Sequence, residues 1–233
     1  MPESRGGGKR VLVIGAHPDD EMLGCAGTLA RHARMGDEVH VLIAGEGATA
    51  RGEETAAPES VRALRGAAEE AARIVGAQPP RFLGLPDERL DGMDLLDLVR
   101  RMEAVLTEVG PEVIYTHHGG DLNLDHRLIH QAVMTACRPM PGQAVRSIYT
   151  FETVSSTEWG SSATGESFRP TRFVDISGDL AAKMKALDCY EAEMRPFPHA
   201  RSYQGIRALA ALRGSSVGVE AAEAFMVVRE LVA

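Results

Sequence analysis

The chain lacks most of the features that staple, repeat or embed a protein. It has three cysteines, Cys25, Cys137 and Cys189, far apart and odd in number, which fits free thiols in a reducing compartment better than a disulfide framework. Aromatic residues make up only 5% and tryptophan occurs once, yet apolar residues reach 44% and charged ones 25%, a balance that excludes disorder and fibres. No block of lysine or arginine matches a phosphate backbone, and 33 acidic residues against 25 basic ones leave a net charge of −8. Nucleic acid is therefore not expected as a partner. No apolar run approaches the roughly 20 residues of a membrane span. The polar start MPESRGGGKR is followed by only six apolar or small residues before His17, too few for a signal peptide or an anchor. A cytoplasmic protein without membrane insertion is expected, and a homo-oligomer is compatible with this composition.

No internal repeat interrupts the 233 residues, so we expect a flexible tail over 1–9 and a single domain over 10–233. Val11 to Ile14 is a short apolar run of the kind that forms a buried parallel strand, ended by Gly15. Met22, Leu29, Ala30 and Ala33 then follow helical spacing up to Gly36, and Glu38 to Ala44 reads as a second strand. Gly45 to Pro58 is polar and too long for a simple connection, which marks it as functional. Helical faces at 61–75 and 95–106 flank a short strand near Phe82 and a turn at Leu85-Pro86-Asp87. Glu112 to Thr116 is a strand, Asp125 to Cys137 a helix, and Val145 to Phe151 a strand. The remainder reads as a polar loop over 153–170, a strand at Phe173 to Ile176, helices at Leu180 to Met194 and Tyr203 to Leu212, and a last helix or strand near Phe225. Such alternation implies an α/β fold: a Rossmann-like, mostly parallel sheet with helices on both faces, binding ligands at the strands' carboxyl ends.

Two clusters of polar residues fall at such ends. Gly15-Ala16-His17-Pro18-Asp19-Asp20-Glu21 lies where the first strand gives way to a helix. Its acids are either helix caps that complement the dipole or ligands of a divalent cation that relieves their mutual repulsion; only the second reading uses His17. His117-His118-Gly119-Gly120-Asp121-Leu122-Asn123-Leu124-Asp125-His126-Arg127 follows a later strand that can lie beside the first. Zinc hydrolases commonly take three ligands from His and Asp or Glu, leaving a position for a water of pKa about 7. His17, Asp20 and His126 suit that role, and Asp19, pointing another way, suits a general base.

The AHPDDE segment at 16–21 and the DLNLDHR segment at 121–127 resemble those of the PIG-L/LmbE-type zinc-dependent N-deacetylases, which remove acyl groups from amino sugars. Softer likeness extends to Gly45–Arg51, Leu85-Pro86-Asp87 and PHARS at 198–202. The resemblance implies His17, Asp20 and His126 as metal ligands, Asp19 as base, and Zn²⁺ as cofactor, with Fe²⁺, Mn²⁺ or Co²⁺ able to bind similar atoms. It also implies a small N-acylated sugar as substrate, met by Arg51 and Asp87, with His118 and Asp121 as further contacts. Many members carry His where this chain has Asn123, so an amide would steady the oxyanion without acting as an acid. The leaving amine must then take its proton from Asp19, once protonated, or from His199 or His118, with Asp19 ranked first. Asp125, next to the ligand, is expected to orient a histidine.

Other signals are set aside. GGGKR at 6–10 lacks the spacing of a P-loop and precedes a strand instead of following it. Gly214-Ser215-Ser216-Val217-Gly218 matches a nucleophile elbow by letter, but no His or Asp follows it. His130, four residues after His126, reads as a packing residue, and His32 and His40 have no expected role. Trp159 suits a loop anchor as well as a sugar platform. Arg127 and Arg201 would contact an anionic group or pair with an acid. Two alternatives to a sugar deacylase stand: hydrolysis of a non-sugar amide, and a non-catalytic nucleotide- or sugar-binding module. Gly15 followed by Ala16-His17-Pro18 offers a pyrophosphate no glycine cradle, which counts against the module.

Overall fold

The computed structural model describes residues 8–47, 58–160 and 167–232. The first seven residues of the expected tail, and most of the long polar loop that carries Arg51, lie outside the described residues. A seven-stranded sheet forms the centre. Its strands are β1 (Arg10–Gly15), β2 (Glu38–Gly45), β3 (Arg81–Leu85), β4 (Val113–His117), β5 (Ser147–Phe151), β6 (Arg172–Asp175) and β7 (Ala222–Glu230), in the order β3-β2-β1-β4-β5-β7-β6. The first five in that row run parallel, whereas β7 is antiparallel to both β5 and β6.

Period-two alternation explains why both faces are covered. Val11 and Val13 of β1 enter one core with α1 (Asp20–Arg34), α2 (Pro58–Ile74), α5 (Leu180–Asp188) and α6 (Tyr203–Ser215). Leu12 and Ile14 enter the other with α3 (Leu95–Val109) and α4 (Leu124–Ala136). With apolar side chains on both sides, the inner strands read as continuous hydrophobic runs instead of alternating ones.

Because β1 pairs directly with β4, the strand order reverses between them. Chain leaving β1 goes to one face, chain leaving β4 to the other, and a crevice opens above their carboxyl ends. Both polar clusters therefore meet there. The expected helix over 180–194 stops at Asp188 and gives way to a 3-10 turn at Glu191–Glu193. Tyr190 turns inward at that point to reach Glu21, a tertiary contact that periodicity cannot see. The ambiguous segment near Phe225 is a strand: Ala222 to Phe225 are buried on both faces between β5 and β6.

Candidate metal centre

His17, Asp20 and His126 form the one group of His, Cys, Asp and Glu side chains among the described residues that could hold a metal ion, with one ligand atom of each within 4.8 Å of the others. His17 and Asp20 come from the turn after β1, and His126 from the first turn of α4. Close approach shapes the first turn: the Gly45 N–H donates to the Ala16 carbonyl at 2.7 Å, and a Cβ on Gly45 would stand 3.0 Å from that oxygen and 3.4 Å from the His17 ring. Asn123 caps α4, its Oδ1 accepting from the backbone N–H of Asp125 at 2.8 Å and of His126 at 3.4 Å.

The imidazoles are held from behind. His17 Nδ1 faces Asp20 Oδ2 at 3.5 Å, while its Nε2 lies 3.1 Å from Asp125 Oδ2 and 3.2 Å from Asp87 Oδ1. His126 Nε2 faces Asp20 Oδ2 at 3.4 Å, while its Nδ1 lies 3.2 Å from Asp121 Oδ1. Each ring thus directs one nitrogen to the shared aspartate and the other to a carboxylate, the arrangement that fixes tautomer and orientation in metal-binding histidines. Asp121 is itself anchored, accepting from the hydroxyls of Ser156 and Thr157 and, at 2.9 Å, from Asn123 N–H.

The electrostatics favour a cation. Although burial works against a charged ring, hydrogen bonds to Asp125 and Asp20 raise the His17 pKa well above its usual value. His126 is pushed up to about 9, burial being overridden by the charge of Asp20 and the bond to Asp121. Burial would lift the Asp20 carboxyl, but the charge of His126 holds it well below the usual carboxylate range. Carboxylates so placed build a negative potential between two imidazoles, and a mixed nitrogen and oxygen donor set suits Zn²⁺ and similar divalent ions. The residues present fit such an ion.

Above this centre lies a cavity of about 250 Å³, lined by His17, Asp19, Asp20, Asp87, Asn123 and His126 together with Glu88, Ser155, Glu193 and Arg201. Asp19 is buried and its Oδ2 accepts from Arg201 Nη1 at 2.8 Å. Burial raises the Asp19 pKa well above its usual value even though Arg201 opposes the shift. The backbone is unusual here. Asp19 (φ 109°), Glu88 (φ 52°) and Ser155 (φ 65°) are the non-glycine residues with positive φ among those described, and all three line this cavity. Such conformations are costly and gather where a site is over-determined by its surroundings.

Several expected residues take other places. Asp125 and Asp121 stand behind His17 and His126 respectively, so Asp121, fully buried, takes the kind of place beside a candidate ligand that was expected only of Asp125. The Asn123 amide nitrogen donates to Glu88 Oε1 at 2.9 Å. His118 is buried with its ring 5.4 Å from that of Phe168, and His199 stands beside the cavity, its Nδ1 accepting from Arg201 N–H at 3.0 Å. Arg201 pairs with an acid, and that acid is Asp19.

His117 and Tyr190 had no role in the sequence reading, and Glu21 was read there as a helix cap or a cation ligand. His117, at the end of β4, stacks on His126 with ring centroids 3.8 Å apart. Its Nε2 accepts the Ala16 N–H at 2.9 Å, and burial pushes its pKa down to about 4, so the ring is neutral and serves as a wall. Alternation along β4 would have separated His117 from His118, since neighbours in a strand face opposite ways. Glu21, fully buried, accepts from the Asp19 N–H at 3.1 Å and from Tyr190 OH at 2.7 Å. No local signal links Tyr190 to Glu21.

The chain resembles known proteins over most of its length. Over 248 residues the chain is 27% identical to the 1D-myo-inositol 2-acetamido-2-deoxy-alpha-D-glucopyranoside deacetylase of Rhodococcus jostii RHA1, covering 84% of this chain and 85% of that one. The N,N'-diacetylchitobiose deacetylase of Pyrococcus horikoshii superposes with a TM-score of 0.76 at 20% identity, over 95% of this chain and 84% of its own. The 4-carboxy-2-hydroxymuconate hydratase of Pseudomonas putida KT2440 does so with a TM-score of 0.75 at 25% identity, over 97% and 98%. A family model described as PIG-L, GlcNAc-PI de-N-acetylase, matches residues 12–137, the span that holds all three candidate ligands. The chain belongs to the PIG-L family.

Proposed function

We propose that the protein is a metal-dependent hydrolase that removes an N-acetyl or other N-acyl group from an amino sugar or its conjugate. The observation that carries this reading is the convergence of His17, Asp20 and His126 at the floor of a cavity whose wall holds a second, differently directed aspartate, Asp19. A divalent ion held by those three residues would polarise an acyl carbonyl and acidify water.

The chain's own groups do the remaining work. Asp19 Oδ2 is occupied by Arg201, which leaves Oδ1 to take the proton from the attacking water. Burial makes this carboxylate a stronger base than an exposed one, and the Arg201 guanidinium opposes that rise. The same carboxylic acid then returns its proton to the departing amine. His199, whose Nδ1 accepts the Arg201 N–H, is a further donor named by sequence. Asn123 offers an amide N–H to the developing oxyanion, in competition with Glu88.

The lining supports a hydroxylated substrate: Asp87, Glu88, Ser155, Ser156, Glu193 and Arg201 supply donors and acceptors around a space slightly below the ~300 Å³ at which drug-sized pockets begin. The likeness to a hydratase favours a second reading, addition of water to a carbon–carbon double bond by the same base. Acetate release from N-acetylated saccharides, glycolipids and sugar-thiol conjugates by the zinc-loaded protein separates the two. His17→Ala and Asp19→Ala should each abolish it, and undiminished turnover in either ends the mechanism.

A further inference from the structure

Helix α1 breaks shortly after the metal-site aspartate. Cys25 departs from helical backbone, with φ −151° and ψ 19°. A regular helix would join the Gly27 N–H to the Leu23 carbonyl and the Thr28 N–H to the Gly24 carbonyl across that point. Instead, Glu223 of β7 accepts from Gly27 N–H at 3.1 Å and from Thr28 N–H at 2.7 Å. Lys183 of α5 donates to the Leu23 carbonyl at 2.7 Å and to Glu223 Oε1 at 2.6 Å. One lost helical bond is thereby rebuilt as a side-chain bridge running from Leu23 through Lys183 and Glu223 to Gly27, and Thr28 is satisfied by the same carboxylate.

Both charged side chains are buried, at 4% and 5% exposure. A buried ion pair is a poor source of stability, because desolvation offsets most of the attraction. Its value here lies in what it holds. On the near side of the break is the short segment from Asp20 to Gly24, whose first residue is a candidate ligand and whose predecessor is the candidate base. That segment is gripped from behind at two points: Leu23 by Lys183, and Glu21 by Tyr190 OH at 2.7 Å. Lys183, Tyr190 and Glu223 all lie beyond residues 12–137, the part matched by the family model.

We propose that the Lys183–Glu223 pair is a positioning device that lets the first turn of α1 be set independently of the rest of the helix, aiming Asp19 and Asp20 at the metal centre. This rests on the metal-hydrolase reading above. The pair touches neither metal nor substrate; it acts through the backbone of Leu23 and Gly27.

The test uses the full chain with Glu223→Gln and with the double variant Lys183→Met/Glu223→Gln, which removes both charges together and so avoids stranding either one. Co²⁺ is titrated into the metal-stripped proteins and followed by visible absorption, kcat and KM are measured at saturating metal, and amide exchange is read over 20–28. The expected result for a cooperatively folded double variant is Co²⁺ affinity weaker by about 10-fold or more, an altered absorption band, and faster exchange from Asp20 to Leu23. Activity should fall in kcat, with KM within about twofold of wild type. Should the double variant fail to fold, Glu223→Gln carries the same readouts. A folded variant with wild-type Co²⁺ affinity, spectrum and exchange at 20–23 overturns the proposal whatever its Tm. A wild-type chain that binds no Co²⁺ would sink the metal reading instead, and the exchange pattern still decides this one.

Discussion

Replacing Asp121 by Asn isolates the contribution of a buried carboxylate that faces a candidate ligand, His126, and does not line the cavity. Asp121 Oδ1 accepts from Ser156 Oγ and from Asn123 N–H at 2.9 Å and faces His126 Nδ1 at 3.2 Å, while Oδ2 accepts from Thr157 Oγ1. An amide of the same shape keeps its carbonyl on the crowded Oδ1 side, so its NH₂ must face Thr157. That hydroxyl already accepts the Thr153 N–H at 2.8 Å, and its own proton then loses its acceptor. Hydrogen bonds to a charged group are worth about 1.5–3 kcal/mol and neutral ones about 0.5–1.5, so weakening the two at Oδ1 and losing the one from Thr157 lowers stability by about 4 kcal/mol. Loss of the carboxylate behind a metal-binding histidine typically weakens metal affinity by about 10- to 100-fold, or about 1.4–2.8 kcal/mol. The assay is chelator competition for Zn²⁺ beside a denaturant melt. An Asp121→Asn protein with metal affinity within about twofold of wild type would refute the view that Asp121 sets the orientation of His126.

Asn123→Ser keeps a capping oxygen for α4 but removes the amide donor. Stability should change by at most a few tenths of a kcal/mol, since Asn and Ser cap about equally, while kcat should drop by about 100-fold or more if the amide serves the oxyanion; unchanged kcat would leave Asn123 as a cap alone. His32 donates or accepts at Asp37 and Tyr115 far from the metal centre, and burial lowers its pKa despite Asp37. A histidine held neutral in the fold contributes stability that is present above the unfolded pKa of about 6.5 and is lost as pH falls through that value towards the lower folded one. Because His17 and His126, with raised pKa values, act with the opposite sign, the readout is a difference: urea melts at pH 7.5 and 5.5 should show the wild type losing stability relative to His32→Asn as pH falls.

Much of the candidate site was legible because its residues are local. His17, Asp19 and Asp20 occupy one turn, and His126 sits in the first turn of a helix whose cap, Asn123, is visible three residues before it. The order of strands and helices up to Phe151 followed from runs and spacings alone. Reading failed where two distant segments meet. Asp121 was expected among the substrate contacts, and nothing nearby in sequence reveals Ser156 and Thr157 closing over it. Arg201 could not be assigned to Asp19, nor Tyr190 to Glu21, since both pairs join the first helix to the last third of the chain.

Residue order therefore settles which groups are on offer: two imidazoles and a run of carboxylates, each carried at the carboxyl end of a strand that hydrophobic patterning makes parallel and buried. Packing settles what each group does. A carboxylate becomes base, ligand or prop according to which nitrogen it faces and how far it is from water, and those distances arise only when β1 and β4 lie side by side and the C-terminal elements close over them. Chemistry of the parts is a local property, whereas desolvation and orientation belong to the assembled core.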